Sequence, residues 1–144
     1  MNRYGFSMLE LLIVIIIFSM LTVAAFPTIS RVTAHSRVNQ AAAVVAQDLA
    51  QAVTDAVRQR KPVRLGLGAD MHSVTVSDRA TGTVLSTRAL GSGDAYSLDS
   101  VSLSPATVDI FPNGFTSSAL TVRLSAGGYS RQVTMSRAGW VRLQ

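Results

Sequence analysis

The sequence contains no cysteine and only two histidines, His35 and His72. The absence of cysteine excludes a disulfide and a thiolate metal site. It leaves the redox compartment open, because secreted chains can also lack disulfides. No phosphate-binding loop, metal-ligand spacing or activated serine is recognisable. We therefore expect no metal, no cofactor and no enzymatic activity.

Acidic residues are also scarce, since eight of them stand against 13 basic residues and leave a formal net charge of +5. Twelve of the 13 basic residues are arginines, which are spread from Arg3 to Arg142. Scattered arginines are more often solvated surface residues than a nucleic-acid site. The chain of 144 residues is long enough for one modest domain with its own core.

The residues from Leu11 to Phe26 form a strongly apolar stretch without a charge. As a helix rising ~1.5 Å per residue, the 21 residues from Phe6 to Phe26 would cross a hydrocarbon layer of ~30 Å. The other general interpretation is a secretory signal that is cleaved at Ala24-Ala25. Neither interpretation explains Glu10, the only glutamate of the chain.

Glu10 lies near the start of this apolar stretch. An acidic side chain at the centre of a membrane helix costs about 2.5–3.5 kcal/mol on insertion scales, and less near the interface. The carboxylate is therefore either solvated at headgroup depth or paired with a charged group inside the membrane. Ionisable groups within a membrane usually have a function, which favours a partner for Glu10.

Residues Gly5 to Leu12, with the sequence GFSMLELL, have the form of the type IV prepilin cleavage site, G/F-x-x-x-E. With Arg3 before this motif and the apolar stretch after it, the chain resembles the type IV prepilins. The resemblance implies that a prepilin peptidase cuts between Gly5 and Phe6 and methylates the new amino group of Phe6. It also implies that Glu10 neutralises the N-terminal amine of a neighbouring pilin-like subunit during assembly.

The resemblance further implies an order of segments along the chain. Residues 1–5 are a leader peptide, 6–27 a transmembrane and assembly helix, 28–61 its amphipathic second half, and 62–144 a globular β-rich head domain. The protein then spans the bacterial inner membrane once, with the head domain in the periplasm. The arginines at the two ends of the span do not by themselves set this orientation. Pro27 stands where helices of this family bend, although a proline also suits the first turn of a second helix.

From Thr28 to Arg60 the sequence has no glycine or proline and many alanines. Its apolar residues recur at helical spacing, as in Val38, Ala42, Val45, Leu49, Ala52, Val53 and Ala56. This pattern predicts an amphipathic helix whose small-residue stripe can pack closely on a sheet. The basic residues at its end, Arg58, Arg60 and Lys61, complement the helix dipole before Pro62.

After Pro62 the pattern changes from helical spacing to alternation. Alternation with β-branched residues predicts strands at 63–67, 73–77, 108–111, 120–124 and 132–135. The stretch from Gly91 to Ser104 has the weakest pattern and is predicted to be a mobile loop. The helix and an antiparallel sheet, or two small sheets, together predict an α+β fold in which the helix packs on the β domain.

The C-terminal half resembles the minor pseudopilins of the GspH/FimT family. The resemblance rests on a long helix followed by strands, the phrase Phe111-Pro112-Asn113-Gly114-Phe115 and a terminal Gly139-Trp140-Val141. It covers essentially the whole chain and implies a minor pseudopilin or minor pilin. Such a subunit lies at or near the tip of a type II secretion pseudopilus or a type IV pilus, where it initiates assembly and contacts partner subunits. Major pilins usually carry a C-terminal disulfide loop, which this chain lacks.

The alternative function implied by this resemblance is DNA binding during DNA uptake. FimT-like members carry a basic motif of the form G-R-x-R, and Gly139-Trp140-Val141-Arg142 matches it with tryptophan in place of the first arginine. Arg131, Arg137 and Arg142 would form the basic patch, with Trp140 stacking on bases. The missing arginine favours the opposite interpretation, in which Trp140 fills the core and the arginines are ordinary strand-surface residues.

Overall fold

The computed structural model describes residues 7–144, apart from the side chains of residues 24–28. Within these residues one helix precedes eight strands. The helix is α1 (Met8–Gln59), and the strands are β1 (Val63–Leu67), β2 (Ser73–Asp78), β3 (Val84–Ala89), β4 (Ser100–Ser104), β5 (Thr107–Ile110), β6 (Leu120–Ala126), β7 (Tyr129–Met135) and β8 (Val141–Leu143). The predicted α+β fold, a long N-terminal helix packed on an antiparallel β domain, is confirmed.

Ser7 caps the N-terminus of α1. The backbone N–H of Glu10 donates to the Ser7 side-chain oxygen at 3.2 Å and to the Ser7 carbonyl at 3.1 Å. A serine at this position stabilises a helix because it accepts from an amide that has no partner inside the helix. α1 contains no glycine and ends at Gln59, and the next residue, Arg60, has a left-handed φ of 52°.

The strands form two four-stranded antiparallel sheets. The first sheet has the order β3-β2-β1-β5 and the second has the order β4-β6-β7-β8. The predicted strands correspond to β1, β2, β5, β6 and β7, with shifts of a few residues at their ends. The sequence pattern does not predict β3, β4 or β8. β4 lies inside the stretch 91–104, so the prediction of a loop there is wrong for its last five residues.

One hydrophobic core joins the second half of α1 to the inner faces of both sheets. The buried residues of α1 recur at helical spacing and are mostly small: Val38, Ala41, Ala42, Val45, Leu49, Ala52 and Ala56. Val53, which the pattern also placed on this stripe, is partly buried against the core. The predicted amphipathic helix on a sheet is thus confirmed, and the small side chains let the two approach closely.

The chain divides into two compact units after Thr33, and the second unit comprises Ala34–Gln144. We call this second unit the head. Every buried apolar side chain among the described residues lies between Val38 and Met135, inside the head. The head therefore contains a complete core of its own.

Candidate functional site

Glu10 lies in the first turn of α1, three residues after the capping Ser7. Its side chain is exposed, and within residues 7–144 no hydrogen bond or ion pair engages its carboxylate. The positive end of the helix dipole favours an acidic residue at this position. Ser7 and Glu10 also have the spacing of a capping box, S-x-x-E, which marks the helix start in the sequence.

The predicted cleavage and methylation residues, Gly5 and Phe6, lie outside the described residues. The helix that follows them carries large apolar side chains from Met8 to Val23, and these are exposed by between 45% for Ile16 and 91% for Met8. Eight consecutive positions, 11–18, are apolar, which is more than two helical turns, so these side chains surround the helix axis. A helix that is apolar on all sides is typically buried, either in the core of a large protein or in a membrane.

No helix in the described part of the chain combines the length and the hydropathy that a membrane span requires. The predicted span, residues 6–27, falls partly on Phe6 and on side chains that the structure does not describe. α1 continues through position 27 without interruption, so the interpretation of Pro27 as the start of a second helix is wrong. The bend predicted at Pro27 stays a prediction.

The outer face of the second sheet is a continuous polar surface. Its side chains alternate with buried ones along each strand, as expected when one face of an antiparallel sheet covers a core. None of them is acidic or apolar. They are Ser100, Ser102, Ser104, Thr121, Arg123, Ser125, Ser130, Gln132, Thr134 and Arg142, and Gln144 continues the pattern by pairing its backbone with Gln132.

Trp140 stands at one end of this outer face and is 73% exposed. The prediction that Trp140 fills the core is therefore wrong. The reason is the tight turn before it, in which Gly139 has φ 76° and the Ser136 N–H donates to the Trp140 carbonyl at 2.9 Å. The turn directs the indole to a groove of about 690 Å³ on the outer face, which Thr121, Thr134 and Arg142 also line.

The predicted arginine patch is not brought together on one surface. Arg142 pairs with Thr134 in the ladder of β7 and β8 and thus shares the outer face with it. Arg131 lies three residues before Thr134 on β7, so its side chain is on the opposite, core-facing side. There Arg131 donates to the Asn39 side chain at 2.9 Å and lies 6.0 Å from the centre of the Tyr129 ring.

Arg137 belongs to neither of these two environments. It is exposed in the turn between β7 and β8, where its carbonyl accepts from the Thr116 N–H at 2.9 Å. Arg123, which the basic motif did not indicate, lies on the outer face and pairs with Gln132 in the ladder. The outer face therefore carries Arg123 and Arg142, and not the triplet that the motif predicted.

A cluster of charged residues lies on the first sheet, around Asp109 of β5. The Arg64 Nε donates to Asp109 at 2.7 Å, and the Arg79 Nε lies 3.0 Å from the other carboxylate oxygen. The hydrogen bond from Arg64, and then the positive charges of Arg64 and Arg79, hold the pKa of Asp109 below its usual value. The same pairing raises the pKa of Arg64. Because Asp109 is shared by two arginines, the cluster is a structural clamp between β1, β5 and the turn after β2.

The two histidines are placed in unrelated surroundings. His35 is exposed on α1 and stacks on Tyr129, with ring centres 3.8 Å apart. The Nδ1 atom of His72 lies 2.8 Å from the Asp70 carbonyl in the turn before β2. Among the described residues no group of His, Asp or Glu side chains has an arrangement that could hold a metal ion.

Comparison with known protein families identifies the family to which the chain belongs. The model of the family described as type II transport protein GspH matches residues 41–139, which is more than half of the chain. The chain belongs to the GspH family. A second model, the prokaryotic N-terminal methylation motif, matches residues 1–26. A search of curated proteins found no match.

Solved structures of minor pilins and pseudopilins share this fold. The type IV minor pilin FimU of Pseudomonas aeruginosa strain PAO1 is 20% identical, with a TM-score of 0.62 over 76% of this chain and 90% of FimU. A second crystal form of FimU gives a TM-score of 0.59 at 19% identity over 74% of this chain and 91% of FimU. The minor pseudopilin EpsH from the type 2 secretion system of Vibrio cholerae is 14% identical, with a TM-score of 0.56 over 75% of this chain and 96% of EpsH.

These comparisons confirm the resemblance that the sequence motifs indicated. The chain is a GspH-like member of the type IV prepilin-like proteins and carries an N-terminal methylation motif. The family consists of structural pilins and pseudopilins that assemble with other such subunits in the cell envelope. At these low identities, the likeness to FimU and EpsH shows the shared fold.

Proposed function

We propose that this chain is a minor pilin or pseudopilin subunit that is processed at its N-terminus and then assembled into a filament. Prepilin peptidase cuts between Gly5 and Phe6 and methylates the Phe6 amine. Residues 6–27 hold the subunit in the bacterial inner membrane as a single span, with the head in the periplasm. The subunit then enters a type II secretion pseudopilus or a type IV pilus, at or near its tip, and serves assembly initiation.

The observation that carries this proposal is the match of residues 1–26 to the methylation motif, a range that includes the first part of α1, where the large apolar side chains are exposed. Burying one Leu, Ile or Phe side chain is worth roughly 1.5–3 kcal/mol. Leaving the whole stretch from Met8 to Val23 in water is therefore strongly unfavourable. A lipid bilayer before assembly, and neighbouring helices after it, supply the apolar surroundings that the head does not.

Glu10 is the residue to which we assign the assembly step. Its carboxylate is exposed and has no partner within residues 7–144, in a segment that is otherwise apolar. In a membrane or a filament interior an unpaired carboxylate is costly, and a positive group of a neighbour relieves that cost. The Phe6 amine of the next subunit supplies this charge. Contacts of this head-to-tail kind build an open helical filament when the rotation between subunits does not close a ring.

Pro27 is assigned the bend of the helix. A proline inside a helix removes one backbone hydrogen bond and weakens the preceding turn. Position 27 lies seven residues before the head begins at Ala34. A weakened turn there lets the apolar segment adjust its direction without disturbing the core, which starts at Val38.

DNA uptake is the competing function, and the geometry gives it less support. It requires Arg131, Arg137 and Arg142 to act on one surface, and Arg131 is turned toward Asn39 on the other side of the sheet. The exposed Trp140 is the observation in its favour. Fluorescence titration of the full-length protein with single- and double-stranded DNA tests it.

The proposed processing is tested by the mass of the N-terminal peptide of the protein expressed with prepilin peptidase. We expect a peptide that begins at Phe6 and carries one additional methyl group. Gly5→Val should leave the chain uncut, because the peptidase needs close access to the backbone at that bond. Asn2→Val, which changes the leader without touching the bond, is the matched control and should be cut normally. An unchanged mature mass for Gly5→Val would contradict the cleavage assignment.

A further inference from the structure

The outer face of the second sheet has the chemistry of a ligand surface, and the proposed function assigns no role to it. An ordinary solvated sheet face mixes both charge signs and exposes few large rings. This face carries Arg123 and Arg142, no acidic side chain, and an exposed indole at its end. Asp99, which precedes β4, accepts from the Gly127 N–H in the turn at the opposite end of the strands from Trp140.

Both arginines on this face are available to a ligand. Neither Arg123 nor Arg142 forms an ion pair among the described residues, and both side chains are exposed. Arg123 is on β6 and Arg142 on β8, so the two positions are two strands apart across the sheet and two residues apart along the strands. By ordinary sheet dimensions their backbones are about 12 Å apart. Guanidinium groups bind carboxylates through two parallel hydrogen bonds. The surface therefore fits a ligand with repeated anionic groups.

The neutral side chains between the arginines narrow the class of ligand. Thr121, Thr134 and Gln132 each supply both a donor and an acceptor, as do the serines of β4. The phosphates of a nucleic acid accept hydrogen bonds and do not donate them. Phosphates use only the donors of such side chains, whereas sugar hydroxyls both donate and accept, so a polysaccharide can engage the donors and the acceptors of the hydroxyl and amide groups.

Trp140 completes the match at the end of the groove. The π-face of an indole carries negative charge density and attracts the weakly positive C–H groups on one face of a sugar ring. The backbone that carries the indole is held in place, because the Ser136 side-chain oxygen accepts from the backbone N–H of Trp140 at 3.2 Å and Gly139 is backed by the loop at Gly114. The groove of about 690 Å³ that it lines is within the usual range of ligand sites.

From these observations we infer that the outer face of the second sheet, with Trp140, Arg142 and Arg123, binds an acidic polysaccharide. The sugar ring stacks on Trp140, and its carboxylates pair with the arginines. The chain runs diagonally across β8, β7 and β6, where the hydroxyl and amide side chains bond to its hydroxyl groups. This binding does not depend on processing or filament assembly.

Trp140 is the only tryptophan of the chain, so its fluorescence reports directly on the groove. We would titrate the full-length protein in detergent micelles, at fixed physiological ionic strength, with polygalacturonate. Four comparison ligands separate the contributions: neutral dextran, poly-glutamate as a carboxylate polymer without sugar rings, single-stranded DNA and double-stranded DNA. We expect a saturable change with polygalacturonate, at an affinity about tenfold or more above poly-glutamate and DNA at equal charge concentration.

The variants test whether the proposed surface is responsible. Arg142→Gln should weaken binding of polygalacturonate about tenfold, because it removes one charge-assisted contact. Arg58→Gln removes the same charge from the exposed end of α1 and should leave the affinity nearly unchanged. Trp140→Phe, followed by calorimetry, should weaken binding further.

Three results would overturn the inference. The first is the absence of a saturable response to polygalacturonate. The second is an equal or tighter response to DNA or to poly-glutamate, which would assign the face to nucleic acid or to an acidic protein. The third is an equal loss for Arg58→Gln and Arg142→Gln, which would show attraction by net charge alone.

Discussion

The stretches Met8–Val23 and Val38–Ala56 belong to the same helix, and both are rich in apolar residues. In the first stretch the large apolar side chains are exposed by 45% or more. In the second stretch, Val38, Val45 and Leu49 are at most 1% exposed and pack into the core of the head. The difference is one of pattern, because branched residues surround the helix in the first stretch and a stripe of alanine, valine and leucine marks one face in the second.

The two stretches contribute to different equilibria, one to folding and the other to assembly. Burial within the head stabilises the folded chain, so the second stretch determines the free energy of unfolding. The first stretch contributes no buried side chain to the core. On the proposed function, it gains its free energy from an apolar environment outside the head. Substitutions in the two stretches should therefore separate folding from assembly.

The largest effect is expected from paired leucine substitutions. Leu49→Ala removes a fully buried side chain and should lower the free energy of unfolding by about 2–5 kcal/mol. Leu12→Ala truncates a side chain that is 57% exposed and should change the free energy of unfolding by less than about 0.5 kcal/mol. Both changes in the free energy of unfolding can be measured on the full-length protein in micelles. Denaturant unfolds the protein, and hydrogen exchange of the β6 amides monitors the unfolding of the head. Equal losses of unfolding free energy for the two variants would contradict the separation of folding from assembly.

The turn that positions Trp140 gives a second, smaller effect within the head. A Cβ at Gly139 would lie 2.6 Å from the Gly114 carbonyl oxygen, whereas a Cβ at Gly128 would meet nothing within 4 Å. Both glycines have left-handed φ angles, 76° and 79°. Gly128→Ala should therefore show only the backbone strain of about 1–2 kcal/mol, and Gly139→Ala should lose about 1–3 kcal/mol more. Equal unfolding midpoints would contradict the close packing of the two loops.

The smallest effect is expected at the Asp109 clamp, and it depends on pH. Arg64 and Arg79 lower the pKa of Asp109 in the folded state, so its stabilisation is complete above the unfolded value of about 3.9. It is lost as the pH falls through the lower folded value. The difference in unfolding midpoint between the natural protein and Asp109→Asn should thus be constant from pH 7 to about 4 and shrink below that. A difference that grows toward acid would contradict the clamp.

Much of this architecture is predictable from local patterns. The helical stripe from Val38 to Ala56 and the alternation in β1 and β6 each follow from one buried face per element. β3 could not be found in this way, because its side chains are exposed on both faces except for the half-buried Arg88. Arg88 is instead held to α1 by a bidentate pair with Asp48, at 2.7 and 2.9 Å.

The candidate sites differ more strongly in what the sequence reveals. Glu10 stands out from its apolar surroundings, so its place at the helix start follows from the sequence. Trp140 does not, because an aromatic residue in a strand-rich half ordinarily predicts a core position. Its exposure depends on the turn at Gly139 and on contact with a loop that is distant in sequence. The outer face can be recognised as a candidate site only from the strand register, which places Arg123 and Arg142 on the same side of the sheet.

The most direct test of the account is the incorporation of Glu10→Ala into filaments. The processed variant should unfold like the natural protein, since Glu10 is exposed and belongs to the unit that precedes the head. Its share in the sheared filament fraction should fall at least about tenfold, because a buried charge left without its partner costs about 3–5 kcal/mol. Asp55→Ala, which removes an acid from the head part of the same helix, is the control and should assemble normally. Normal incorporation of Glu10→Ala would contradict the assembly role of the N-terminal stretch.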